Sequence, residues 1–285
     1  MSGTTTMSGG TTPANFTDAS GASAAFATYF GAGTSYTAFT GGGTVSVGGA
    51  ATLGTSATAY TISGGTTAVA DTSAGGNSIT STTNTTIFAA PNDTITAATG
   101  STTLFGASSG QTTFSLGGSG SSVTGGAGDI LGSASASNST LVGGTGTSLF
   151  TVTGANNLVV AGQGGTTGVD LSQTTGAETI ATNPLGNSGT LVATLGSGAD
   201  SVIGGSGAST ITAGSGNDVF GFVNGHAGGS EVIIGFNSND TLAFGGYGYS
   251  ASVTPTETVT GGSDVITLSD GTTITLVGVD HKLFS

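Results

Sequence analysis

Branched or aromatic residues recur along this chain with a short step: Val45, Leu53, Ile62, Val69, Ile79, Phe88, Ile95, Leu104, Phe114 and Val123, then Leu141, Phe150, Val159 and Val169, then Val202, Ile211 and Phe220. The step is about nine residues, a period short enough for a repeat architecture. Polar stretches stand between the anchors, such as Asn77-Ser78 before Ile79, Asn92-Asp93-Thr94 before Ile95 and Gly110-Gln111-Thr112-Thr113 before Phe114. Gly, Asn and Asp tolerate tight-turn backbone, whereas Thr, Val, Ile and Phe favour extended chain. Each unit therefore predicts a turn and a strand of about three to five residues.

A strand this short cannot bury its apolar face alone. Successive coils stacked at about 4.8 Å would line up like side chains in a narrow continuous core. Two units per coil predict coils of about 18 residues, and about ten of them between Thr44 and Phe222. The expected fold is all-β, a parallel β-solenoid of the β-roll kind; a β-sandwich of short strands would show less uniform spacing. Residues 1–43 are expected to form a tail and a capping or docking segment, 44–222 the solenoid, and 223–285 a β-rich C-terminal cap. Asn15 to Phe30 predicts a short helix with Asp18 as N-cap and Phe26 and Phe30 on one face, although Gly21 weakens it. With Tyr29, Tyr36 and Phe39, these aromatics would either cap the first coil or dock on a neighbouring molecule.

Composition narrows the function classes. The 285 residues include 56 glycines, and Lys+Arg 1 stands against Asp+Glu 14, for a net charge of -13. Charged residues are 5% of the chain, where ordinary domains carry about 25%. Lys282 is the one Lys or Arg, so nucleic-acid binding through phosphates and polybasic binding to lipid are both excluded. There is no cysteine, and His226 and His281 are too far apart for a zinc motif. No apolar run reaches the roughly 20 residues of a membrane span, so no membrane insertion is expected. The start, Met1 to Gly10, lacks a basic, apolar secretory signal, which places any export address elsewhere. A mean hydropathy of +0.26 argues against disorder. An enzyme is not expected: Glu178, Glu231, Glu257 and Asp264 are scattered, and no Ser/His/Asp set is legible.

The clearest repeat is three units in register, Gly196 to Gly204, Gly205 to Ala213 and Gly214 to Phe222. Glycines at the first and third positions would permit a turn with inward carbonyls, and the fifth position adds Asp200 or Asp218. These two aspartates would sit one above the other, where a hard divalent ion could accept carboxylate and carbonyl oxygens. The alternative is that both cap their turns as Asx residues. Ser209 takes the acidic position in the middle unit. The three units resemble the RTX, or haemolysin-type, calcium-binding repeats, whose consensus is GGxGxDxUx and whose members form parallel β-rolls. Gly204-Gly205-Ser206-Gly207 keeps the double glycine, while Leu195 and Ala213 replace its first member in the flanking units. The resemblance implies Ca²⁺ held by Asp200 and Asp218, with carbonyls around Gly196, Gly198, Gly214 and Gly216.

Further on, Asp218 to Phe222 and Glu231 to Leu242 resemble the segment that follows β-rolls in proteins exported by type I secretion. Asp264 to Val279 predicts a hairpin with Ser269-Asp270-Gly271 as its turn. Asp280 to Ser285 loosely resembles the uncleaved C-terminal signal of that route. Weak lysine and proline protection of strand edges favours contacts between copies. The expectation is an extracellular structural protein that self-assembles into a homopolymer, as filaments or a surface or biofilm matrix layer, with calcium promoting folding or assembly. Cell-surface polysaccharide is a further expected partner. Alternatives are an S-layer subunit, or a calcium-stabilised adhesin or ice-binding solenoid suggested by Thr-x-Thr at Thr94, Thr151, Thr210, Thr258 and Thr273.

Overall fold

A computed structural model describes residues 3–6, 36–182, 189–226 and 228–284. The expected helix at Asn15 to Phe30 lies outside them, and the described residues are strands, turns and bends. The chain is a parallel stacked β-solenoid of about 11 turns, each turn contributing one strand to each of two sheets. Its contacts divide it into two compact units, residues 1–148 and 149–285.

In the first unit, one sheet opens with Gly3–Thr6 antiparallel to Tyr36–Thr40 and proceeds in parallel from Tyr36–Thr40 through Ala50–Leu53 to Thr140–Val142. The other opens with Gly43–Ser46 and proceeds in parallel to Asp129–Ala134. In the second unit, one sheet runs from Leu158–Val160 to Thr241–Gly245. Its companion runs from Thr166–Asp170 to Ser230–Ile234, then to Thr273–Val277 in parallel, and ends in the antiparallel strands Ser263–Thr267 and Thr256–Thr260. The hairpin expected near Asp270 is present, with Gly271 at φ 90° in its turn.

Burial follows the short-period ladder. Every anchor named above is at most 4% exposed; except at Phe88, alternate strand residues point inward and the next turn covers them. Register fixes which anchors stack: Ile87 on Leu104, Val123 and Leu141, and Val159 on Ile180 in the second unit, followed by Val202 and Phe220. Ile87, and not the anchor Phe88, therefore belongs to the inner column. Phe88 instead stacks with Phe105 on the opposite face, ring centroids 4.8 Å apart. The missing beat between Val123 and Leu141 has a steric origin. Gly132 pairs with Phe114, and a Cβ at Gly132 would stand 2.5 Å from the Phe114 ring, so a large residue above requires an empty position below.

Candidate functional site

The turns must satisfy corner N–H groups that no ladder partner reaches, since a buried unpaired donor is costly. In the second unit carboxylates perform this task. Asn157 N–H donates to Glu178 Oε2 at 2.7 Å, Glu178 N–H to Asp200 Oδ1 at 2.8 Å, Asp200 N–H to Asp218 Oδ1 at 3.0 Å, and Asp218 N–H to Asp240 Oδ1 at 3.0 Å. In the three aspartate turns the second oxygen closes the loop: Gly196 N–H donates to Asp200 Oδ2 and Gly214 N–H to Asp218 Oδ2, both at 3.2 Å, and Asn237 N–H to Asp240 Oδ2 at 2.9 Å. Four acids thus form a column in which each side chain ties the turn before it, and the three aspartates also tie their own.

Asp200 and Asp218 do sit one above the other, as their spacing of 18 required, and both are fully buried. Their four carboxylate oxygens each accept a backbone N–H. The N–H groups of Gly196 and Gly214 face the carboxylates, while the Gly196 carbonyl accepts from Ser215 N–H at 3.1 Å in the next turn. Calcium takes about six to eight oxygen ligands, and an ion between these two aspartates would have to displace converging donors. The donor set therefore does not fit calcium at this pair as folded; it fits turn capping. The glycines have a different task from the one expected. A Cβ on Gly214 would overlap the Gly196 carbonyl oxygen, and one on Gly216 would overlap that of Gly198; Gly198 stands in the same relation to Gly176. Close stacking of turn on turn is what requires them.

Polar side chains cap the other turns in related ways. Thr112, Ser148 and Thr167 accept N–H from Ala107, Gly144 and Gly162 at 3.0, 3.1 and 2.9 Å. In the first unit, Asn77 N–H donates to Asp93 Oδ1 at 2.9 Å and Ala90 N–H to Asp93 Oδ2 at 2.8 Å, and Asn77 Nδ2 donates to Asp71. Glu231 departs from this economy. It faces Ser209 in register, is 1% exposed, and neither side chain makes a well-aligned hydrogen bond.

Eight of the 14 acids are buried in a chain with one Lys or Arg, and burial without a cationic partner raises the pKa of Asp93, Glu178, Asp200, Asp218, Glu231 and Asp264. Desolvation, with repulsion from Asp71, pushes Asp93 up to about 8. Desolvation pushes Glu178 and Glu231 up to about 7. Asp200 and Asp218 are also raised by desolvation, which their N–H donors oppose. Sequence spacing exposed only Asp200 and Asp218, because the steps to Glu178 and Asp240 are 22 residues. A polar residue immediately before the strands of one sheet was the available signal. Among the described residues no group of three or more His, Asp and Glu is placed to hold a metal ion. No protein family matches the chain, and no curated protein is similar to it.

Proposed function

We propose that this chain is an extracellular structural protein that assembles with copies of itself through strand edges. The observation that carries this reading is the edge of Gly43–Ser46, the first strand of its sheet among the described residues. An outermost strand presents a row of unpaired N–H and C=O groups, which natural sheets blunt with lysine, proline or inward-pointing charge. Gly43–Ser46 has none of these, and its one buried side chain is Val45. The opposite case occurs within the same protein: the outermost strand Thr256–Thr260 carries the inward acid Glu257, 9% exposed. The resemblance of the C-terminal segments to type I secreted proteins supports export. The geometry gives calcium no task at Asp200 and Asp218, so assembly is expected with chelator as well as with calcium. Sedimentation velocity of the purified chain tests the reading; a single monomeric boundary at every concentration would overturn it.

One observation favours a second reading, an adhesive or ice-binding face. Thr44, Thr61, Thr80, Thr96 and Ser115 occupy successive register positions in one column, and Ser78, Thr94 and Thr113 occupy the neighbouring column. Of the Thr-x-Thr pairs only Thr94 and Thr96 lie in these columns; Thr210 pairs instead with Val192 and Val232. Hydroxyls at strand spacing, about 4.8 Å, form an uncharged grid there. Thermal hysteresis in the wild-type protein, lost on Thr80→Tyr and Thr96→Tyr, is the outcome this second reading requires.

A further inference from the structure

The C-terminal end of the second unit is stepped. Thr241–Gly245 is the last strand of its sheet, whereas the companion sheet continues past Thr273–Val277 for two more strands. The ledge beside Thr241–Gly245 is occupied by the chain's own tail. Leu283 N–H donates to Glu257 Oε1 at 2.8 Å, and Phe284 N–H lies 3.2 Å from Oε1 and 3.1 Å from Oε2. The Phe284 ring packs edge-on against Phe244, centroids 5.7 Å apart.

This seat is poorly filled. A cavity of about 340 Å³ lies on one side, lined by Phe244, Tyr249, Val253, Pro255 and Phe284 among others. A second, of about 300 Å³, lies between the tail and Phe236, Asp240 and Leu242. Both are clefts open to solvent, so the two tail residues are flanked by uncovered surface on either side and are tied by hydrogen bonds at one point. That point is Glu257. Beneath it Asp264 is fully covered although neither of its oxygens makes a well-aligned hydrogen bond. The inner column ending in Phe220 and Leu242 stops here, leaving Leu242 half-buried where every earlier member is covered.

We propose that residues 280–284 are a removable plug, latched by Glu257, over the edge of Thr241–Gly245, and that the occupant the plug excludes is an edge strand of a second copy. The inference rests on the assembly reading above and adds its regulation. Gly43–Ser46 of another copy suits the ledge: it is uncharged, brings one inward valine to continue the apolar column, and is the outermost strand of its sheet among the described residues. Among the described residues Gly43–Ser46 has no strand on its outer side, and the Thr241–Gly245 edge is freed when the tail leaves.

The experiment compares the full chain with a variant ending at Val279 and with Phe284→Ala, which keeps the backbone contact to Glu257 but empties the aromatic seat. Light scattering follows assembly, and amide hydrogen exchange follows Thr241–Gly245. Losing two hydrogen bonds to the Glu257 carboxyl is expected to speed assembly about tenfold or more in the shortened variant, with a smaller gain for Phe284→Ala and faster exchange in both. Assembly at the wild-type rate in both variants overturns the plug and leaves the assembly reading standing. Monomers in all three proteins overturn both.

Discussion

Gly214 and Gly216 have no space for a side chain, because the carbonyl oxygens of Gly196 and Gly198 in the preceding turn stand where a Cβ would be. Gly214→Ala is therefore expected to destabilise the protein by about 3 kcal/mol or more, as overpacking against backbone does, read as a lower denaturant midpoint. Asp218→Ala acts through loss rather than crowding. It orphans the N–H groups of Asp200 and Gly214, at about 1–3 kcal/mol for each buried donor left unpaired. Chelator should leave the wild-type melting temperature unchanged. A chelator-induced fall of several degrees, abolished in Asp218→Ala, would return calcium to this pair. The roles of these residues were half legible: the spacing placed Asp200 over Asp218, but whether carbonyls or N–H groups face the carboxylates is set by peptide-plane orientation, which composition and spacing do not encode.

Among elements, the acid column shows why a period finds some turns and misses others. The step from Asp200 to Asp218 is 18 residues, while those flanking it are 22; the extra residues are accommodated in the turns and leave the strands in register. The apolar ladder was legible because each anchor must reach the core. The substitution of Ile87 for Phe88 in the inner column was not, since both are large and adjacent and only pairing with Leu104 and Phe105 separates them. Edge behaviour belongs to this scale too. Thr44→Lys with Ser46→Lys places two charges at exposed positions of Gly43–Ser46 while leaving buried Val45 in place. The pair is expected to abolish assembly with a change in melting temperature within the error of the measurement, since exposed substitutions cost about 0.5 kcal/mol or less. Unimpaired assembly of this variant would remove Gly43–Ser46 as the contact.

For the molecule as a whole, buried acids set an unusual pH dependence. Ordinary carboxyl groups titrate near pH 4, whereas Asp264 is held at about 6, Glu178 and Glu231 at about 7 and Asp93 at about 8. Between those limits the folded chain retains protons that the unfolded chain releases, so stability falls as pH rises through the window. Asp270, in which hydrogen bonds from Tyr247 and Thr272 outweigh desolvation, is lowered, so it is ionised in both states across this window and leaves the slope unchanged. The melting temperature should therefore be several degrees higher at pH 5 than at pH 8, the reverse of proteins whose acids are salt-bridged. A melting temperature that rises over this range would show that the buried acids are ionised in the folded state. Assembly is the claim on which the functional reading depends, and negative-stain electron microscopy of the purified full chain addresses it most directly. Filaments or sheets of stacked molecules, with calcium and with chelator alike, are the expected result; dispersed single particles under both conditions, at concentrations where the chain is folded, would contradict it.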